Sequence, residues 1–160
     1  MGVITITEEY TSPIPPARLF KALFLNADNF LPKLLPQVLK SIELVQGDGG
    51  AGSVKQMNFA EGIGLGPLKH RIDEINEETF VYHYTLIEGE DLLGKLEKVS
   101  HETKFEPSPD GGSISKITSK YYTLDDAAIT EDEIKASKEK AMGMYKAVEG
   151  YLLQNPDAYA

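Results

Sequence analysis

Few side chains in this sequence carry ready-made chemistry, and their spacing excludes more than it allows. The histidines at His70, His83 and His101 lack the separations that would let them share a metal ion. His70 and His101 fall at strand positions that could face an interior. There an imidazole could donate a hydrogen bond to a bound molecule or accept one; a satisfied core histidine is the alternative. The segment Gly47-Asp48-Gly49-Gly50-Ala51-Gly52-Ser53 invites a phosphate-binding reading. A Walker loop needs Lys and then Ser or Thr directly after its last glycine, and it opens a helix. Here Ser53-Val54 follows and the next residues alternate like a strand, so a rigid hairpin turn is expected. The dinucleotide fingerprint fails on the same ground. The chain has no cysteine, which excludes a thiol nucleophile, a disulfide scaffold and a thiolate metal site together. No nucleophile, base and orienting group can be assembled from local spacing, and the acids between Glu131 and Glu139 read as the wet face of a helix. No metal and no cofactor are expected.

The totals narrow the function classes further. At 160 residues the chain fits one domain, residues 1–160, able to bury a core without a covalent staple. The net charge of −9 lowers the expectation of a nucleic-acid partner, because such binding rests largely on clustered Lys and Arg neutralising phosphates. The start, Met1-Gly2-Val3-Ile4-Thr5-Ile6, has no basic region or apolar run of a signal peptide, and no myristoylation pattern. No stretch approaches the ~20 apolar residues of a membrane span. A cytoplasmic protein without a membrane partner is expected.

The elements that must position these residues follow from periodicity. Val3 to Ser12 is a β-branched-rich strand, broken by Ser12-Pro13-Ile14-Pro15-Pro16. Ala17 to Leu25 reads as a short helix. Asn26 to Leu35 reads as a second, bent at Pro32 and ended by Pro36, so the pair forms a V. From Leu39 to about Leu124 the period switches to two, giving six strands joined by short turns, an antiparallel meander. Phe80-Val81-Tyr82-His83-Tyr84-Thr85-Leu86 is the clearest of them. A long helix runs from about Glu131 to Leu153, with Thr130 and Glu133 as a capping box and Asn155-Pro156 as the stop. Its apolar stripe is Ile134, Ser137/Lys138, Ala141, Tyr145, Val148 and Leu152. The fold class is α+β, with a curved sheet bent around the long helix.

One pattern departs from a filled core. The last strand carries Ser115, Ile117, Ser119 and Tyr121 on one face, with Lys116 and Lys120 on the other. The strand before it carries Val99, His101, Thr103 and Phe105. The helix offers Ala141 and Gly143 with Met142 and Met144. Small and polar groups among rings suit a pocket with apolar walls and a few hydrogen-bonding handles, and methionines adapt to guests of varied shape. A register shift of one residue would instead put these serines in water.

The whole chain resembles the plant intracellular pathogenesis-related proteins of class ten, the birch-pollen-allergen (Bet v) family. The likeness is carried by the hairpin Gly47 to Lys55 and by Ile87-Glu-Gly, Leu96-Glu-Lys and Asp110-Gly-Gly-Ser-Ile114. Lys135-Ala-Ser-Lys-Glu139, Lys146-Ala-Val-Glu-Gly-Tyr-Leu152 and Pro156-Asp-Ala-Tyr159 carry it onward. The resemblance implies a seven-stranded antiparallel sheet gripping the C-terminal helix (a helix-grip, START-like domain), with two short helices as a V-shaped base. It implies a large cavity that binds flavonoids, cytokinins, sterols or fatty acids, and links to defence, stress and allergy.

The matching lining positions are Leu23, Leu31, Leu39, Met57, Phe59, Leu65, His70, Tyr82, Tyr84 and His101, continuing with Thr103, Ile117, Ser119, Ala136, Lys138, Met142 and Met144. Leu65 stands where relatives often carry an aromatic ring and Pro67 where some have Tyr, so the ligand of a relative does not transfer. The expected partner is therefore a small amphipathic hydrophobic molecule, and the expected state a monomer, with a dimer as the alternative. Some members of the family are described as ribonucleases through residues matching Lys55, Glu97, Glu149 and Tyr151, a set that could do acid–base chemistry on a phosphodiester. A hormone-receptor-like inhibitor of phosphatases, gated by ligand, is the second alternative. An alkaloid-forming branch uses a lysine, an acid and a tyrosine; Thr103 and Ser119 are not acid–base groups, and that set cannot be placed here.

Overall fold

The computed structural model describes residues 2–63, 66–89, 95–124 and 130–159, leaving aside the side chains of Ile63 and Ser137. The β-branched run at the start forms strand β1, Val3–Ser12, whose alternate residues turn inward. Prolines then do two jobs. Pro13 and Pro15 end the strand, and Pro16 occupies the first turn of helix α1, Pro16–Phe20, where a missing N–H costs nothing. The expected single helix to Leu25 instead changes pitch: Lys21–Leu25 is a π-helical turn. Helix α2, Ala27–Leu34, accommodates Pro32 and completes the V.

Six strands follow: β2 Leu39–Gln46, β3 Val54–Phe59, β4 Leu68–Asn76, β5 Val81–Glu88, β6 Leu96–Pro107 and β7 Ser113–Thr123. All pair antiparallel in the order β1-β7-β6-β5-β4-β3-β2. The glycine-rich segment is the β2–β3 hairpin. Gly47, Gly49 and Gly52 adopt φ of 89°, 102° and 90°, a region costly for other residues, and Ser53 Oγ accepts the Gly49 N–H at 2.9 Å. Phe80 belongs to the turn before β5 rather than to the strand, with a φ of 57°.

Helix α3, Glu131–Gln154, starts on the expected capping box, both of its hydrogen bonds being formed. It has no left-handed cap at its other end. Arg18 supplies the donors instead, reaching the carbonyls of Leu152, Asn155 and Ala158 at 2.8–3.1 Å. Among the described residues no helix is long and apolar enough to cross a membrane.

The sheet's concave face carries the serines. Ser113 and Ser115 are fully buried and Ser119 nearly so, while Lys116 faces out. Among the described residues the apolar core divides in two. The larger cluster joins α1, α2 and the C-terminal half of α3 through Phe20, Phe30, Leu39, Phe105, Val148 and Leu152. The smaller is Leu96, Val99, Tyr121 and Ile134.

Candidate functional site

Nine of the seventeen expected site residues belong to the larger cluster or pack against it: Leu31, Leu39 and Tyr82 lie within it, and Leu23, Met57, Phe59, Tyr84, Met142 and Met144 on its flank. Helix periodicity places Ile134, Lys138, Ala141, Tyr145, Val148 and Leu152 on one stripe of α3. Ile134, Tyr145, Val148 and Leu152 are buried. Lys138 is only half-buried and Ala141 is exposed, although Ala141 lies at the centre of the stripe. The helix is therefore buried at Ile134 and again at Tyr145, Val148 and Leu152, with Ala141 exposed between them. Tyr145 makes the nearer anchor, its hydroxyl 3.4 Å from Ser115 Oγ and its ring 6.3 Å from that of Tyr10. The span between Ile134 and Tyr145 is about 16 Å at 1.5 Å per residue.

Facing that span is a run of rings across the sheet. The rings of His70 and His101 stand on either side of the Tyr84 ring, with centroids 5.0 and 5.1 Å away. Tyr82 stacks on Phe24 at 4.3 Å and has its hydroxyl 3.4 Å from His70 Nε2. Ser119 Oγ lies 2.8 Å from His101 Nδ1. Desolvation lowers the His101 imidazole to about 4. It lowers His70 to about 4 as well, with the Lys55 ammonium adding to the effect. Burial pushes the Tyr84 phenol up to about 12 and raises Tyr82 too. Yet Tyr84 and His101 both keep accessible surface, as do Ile117, Met142, Met144, Leu23, Met57 and Phe59. These groups sit among protein atoms but are not packed shut.

Other expected positions behave differently. Leu31 and Leu39 are sealed in the larger cluster and present almost no surface; Thr103 is buried to the same degree as His70, Tyr82 and Ser119. Ala136 is exposed, half a turn round the helix from Ile134, and faces away from the sheet. Lys138 reaches Glu8 of β1 at 3.4 Å, so it clasps the helix to the sheet. Leu65 lies outside the described residues. Sequence reasoning missed Asp28, which holds the buried Lys55 ammonium at 2.8 Å; nothing local links residues on α2 and β3. Phe24 lies within the expected first helix, but nothing in its local sequence announces its stack on Tyr82.

The proposed ribonuclease set does not assemble. Lys55 is committed to Asp28. Glu97 is exposed at the start of β6, three strands from β3 and so about 14 Å away at the usual strand spacing. Its neighbour Leu96 clusters with Ile134, whereas Glu149 lies about 22 Å further along α3. Tyr151 packs its ring on Phe30 at 5.1 Å. A single phosphodiester cannot touch all four. Among the described residues no group of acids and histidines could hold a metal ion.

The meeting of curved sheet and long helix was compared with known proteins. Residues 1–155 match the Pathogenesis-related protein Bet v 1 family. The chain belongs to that family. Among Bet v 1 relatives, the major strawberry allergen Fra a 1-2 of Fragaria ananassa is 54% identical over 159 residues, 99% of each chain. The crystal structure of Ara h 8.0201 superposes with a TM-score of 0.88 at 44% identity, covering 96% of this chain and 100% of that one. Norcoclaurine synthase from Thalictrum flavum, in complex with dopamine and hydroxybenzaldehyde, shares the fold alone. It matches at a TM-score of 0.72 and 18% identity, covering 96% and 88% of the two chains.

Proposed function

We propose that this Bet v 1 protein binds and carries a small amphipathic hydrophobic molecule in a hollow between α3 and the concave sheet. The observation that carries the reading is the bare centre of the α3 stripe at Ala141, set between buried Ile134 and Tyr145. A tightly packed helix would not leave its innermost small residue exposed. Tyr84, Ile117, Met142 and Met144 supply apolar wall, and His70 and His101 supply hydrogen-bonding handles. Burying roughly 300 Å2 of apolar guest and a similar area of wall is worth about 15 kcal/mol; an association cost of about 7 kcal/mol leaves about 8 kcal/mol, the micromolar range. Flavonoids, cytokinins, sterols and fatty acids are the guest classes. Roles in plant defence, stress and allergenicity, a cytoplasmic location and a monomeric state complete the reading.

The test is uptake of the fluorescent apolar probe anilinonaphthalene sulfonate. The native protein should give a saturable enhancement. Met142→Glu and Tyr84→Glu should each weaken it by about tenfold or more, equivalent to ~1.4 kcal/mol. Unchanged uptake in variants whose far-UV spectrum is native would sink the assignment.

A further inference from the structure

The opposite, convex face of the sheet has a dimple that the hollow does not explain. It measures about 220 Å3 and is built on rigid strands, not loops. Its cause is visible in the register. Thr85 of β5 and Ser100 of β6 stand directly opposite one another, and Ser100 stands opposite Lys120 of β7. Two short hydroxyl residues thus form a floor, which their chain neighbours Tyr84 and His101 also border. Two positions along β6 in either direction, Lys98 and Glu102 rise as walls, with Tyr122 beside Lys98 and His83 beside Glu102.

The rim is organised. A bulge in β4 between Ile72 and Glu74 frees Asp73 from the ladder. Its carboxylate accepts the Thr85 hydroxyl and also the Arg71 N–H, the latter at 2.8 Å. Thr85 is only 3% exposed, although it points away from the core. Lys120 lies 3.8 Å from Glu102, and Lys98 sits over the Tyr122 ring at 4.7 Å.

Such a rim alternates donors and acceptors and is nearly charge-balanced. Arg71 is offset by Asp73 and Lys120 by Glu102, leaving Lys98 alone without a carboxylate among the described residues. An oxyanion would find one free cation and two carboxylates facing it, a poor match. A neutral ring bearing several hydroxyls fits better, because each hydroxyl both donates and accepts. We propose that this dimple is a second binding site, on the face of the sheet opposite the hollow, which takes one neutral polyhydroxylated ring: a monosaccharide, free or as the sugar of a glycoside.

The experiment is a titration of the 15N-labelled protein followed by amide shifts. Methyl β-D-glucopyranoside should move the Ser100, Glu102 and Lys120 signals saturably, with a dissociation constant on the order of millimolar. Ser100→Tyr, which fills the dimple from the outer face, should weaken this by about tenfold while leaving probe uptake in the hollow unchanged. Glu102→Ala should weaken it too, without adding bulk. Phenyl β-D-glucopyranoside binding more tightly at the same signals would point to a glycoside as the source, and equal binding to the free sugar. Linear, unsaturated shifts with the methyl glucoside, or saturation at these residues by sodium phosphate with none by the sugar, would overturn the proposal.

Discussion

Replacing Ala141 with leucine asks directly whether the middle of α3 faces empty space. Leu adds three carbons, worth about 2 kcal/mol if they become buried against the sheet. Freezing the new side chain costs roughly 0.5–1 kcal/mol, and helix propensity barely changes. The net gain is about 1 kcal/mol, which for a chain of this size raises the melting temperature by about 2–4 °C. Uptake of anilinonaphthalene sulfonate should fall in the same protein, because the added atoms occupy guest space. Thermal unfolding followed by circular dichroism and a probe titration measure both. Ala136→Leu, on the far side of the helix, is the control and should change neither. The sign decides the matter. A closely packed interface would be overpacked and lose ~1–3 kcal/mol, while a purely solvent-facing position would shift by less than about 0.5 kcal/mol with uptake intact. Either outcome refutes the hollow.

Two further outcomes follow from the electrostatics. His70 and His101 have folded values near 4, below the ordinary 6.5, so the unfolded chain takes up protons first as pH falls. Stability is therefore full above about pH 6.5 and declines toward pH 4, by up to about 3 kcal/mol for the buried His70; urea midpoints across that range should slope accordingly, and less steeply in His70→Gln. Asp28→Ala leaves the Lys55 ammonium in a buried site without its partner. Because Asp28 is one-third exposed, the expected loss is about 2 kcal/mol, and adding Lys55→Met should restore most of it in denaturant melts.

Much of the architecture was legible because it is written in local periods. The alternation of β7 placed Ser115 and Ser119 inward and Lys116 outward, as found, and Thr130 with Glu133 marked the start of α3 to the residue. Period and spacing carry no information about pitch changes, so the π-helical turn at Lys21–Leu25 was invisible. Nor do they carry distance in space. Lys55, Glu97, Glu149 and Tyr151 looked like a set only because each matched a motif; strand order and helix rise hold them apart. The Lys138–Glu8 clasp and the Lys55–Asp28 pair join separate elements, and neither partner announces the other. The convex dimple depends on register across four strands and a bulge, which appear only once the sheet is assembled.

The pairing of β1 with β7 has a consequence for how the chain is made. Roughly a hundred residues separate Ser12 from its partner Ser113, and at about 5–20 residues per second the ribosome needs several seconds to supply them. Throughout that interval the first strand has emerged without the neighbour that will hold it. Its outward threonines and Glu9 keep that waiting segment wettable, and the sheet can close only when translation is nearly finished.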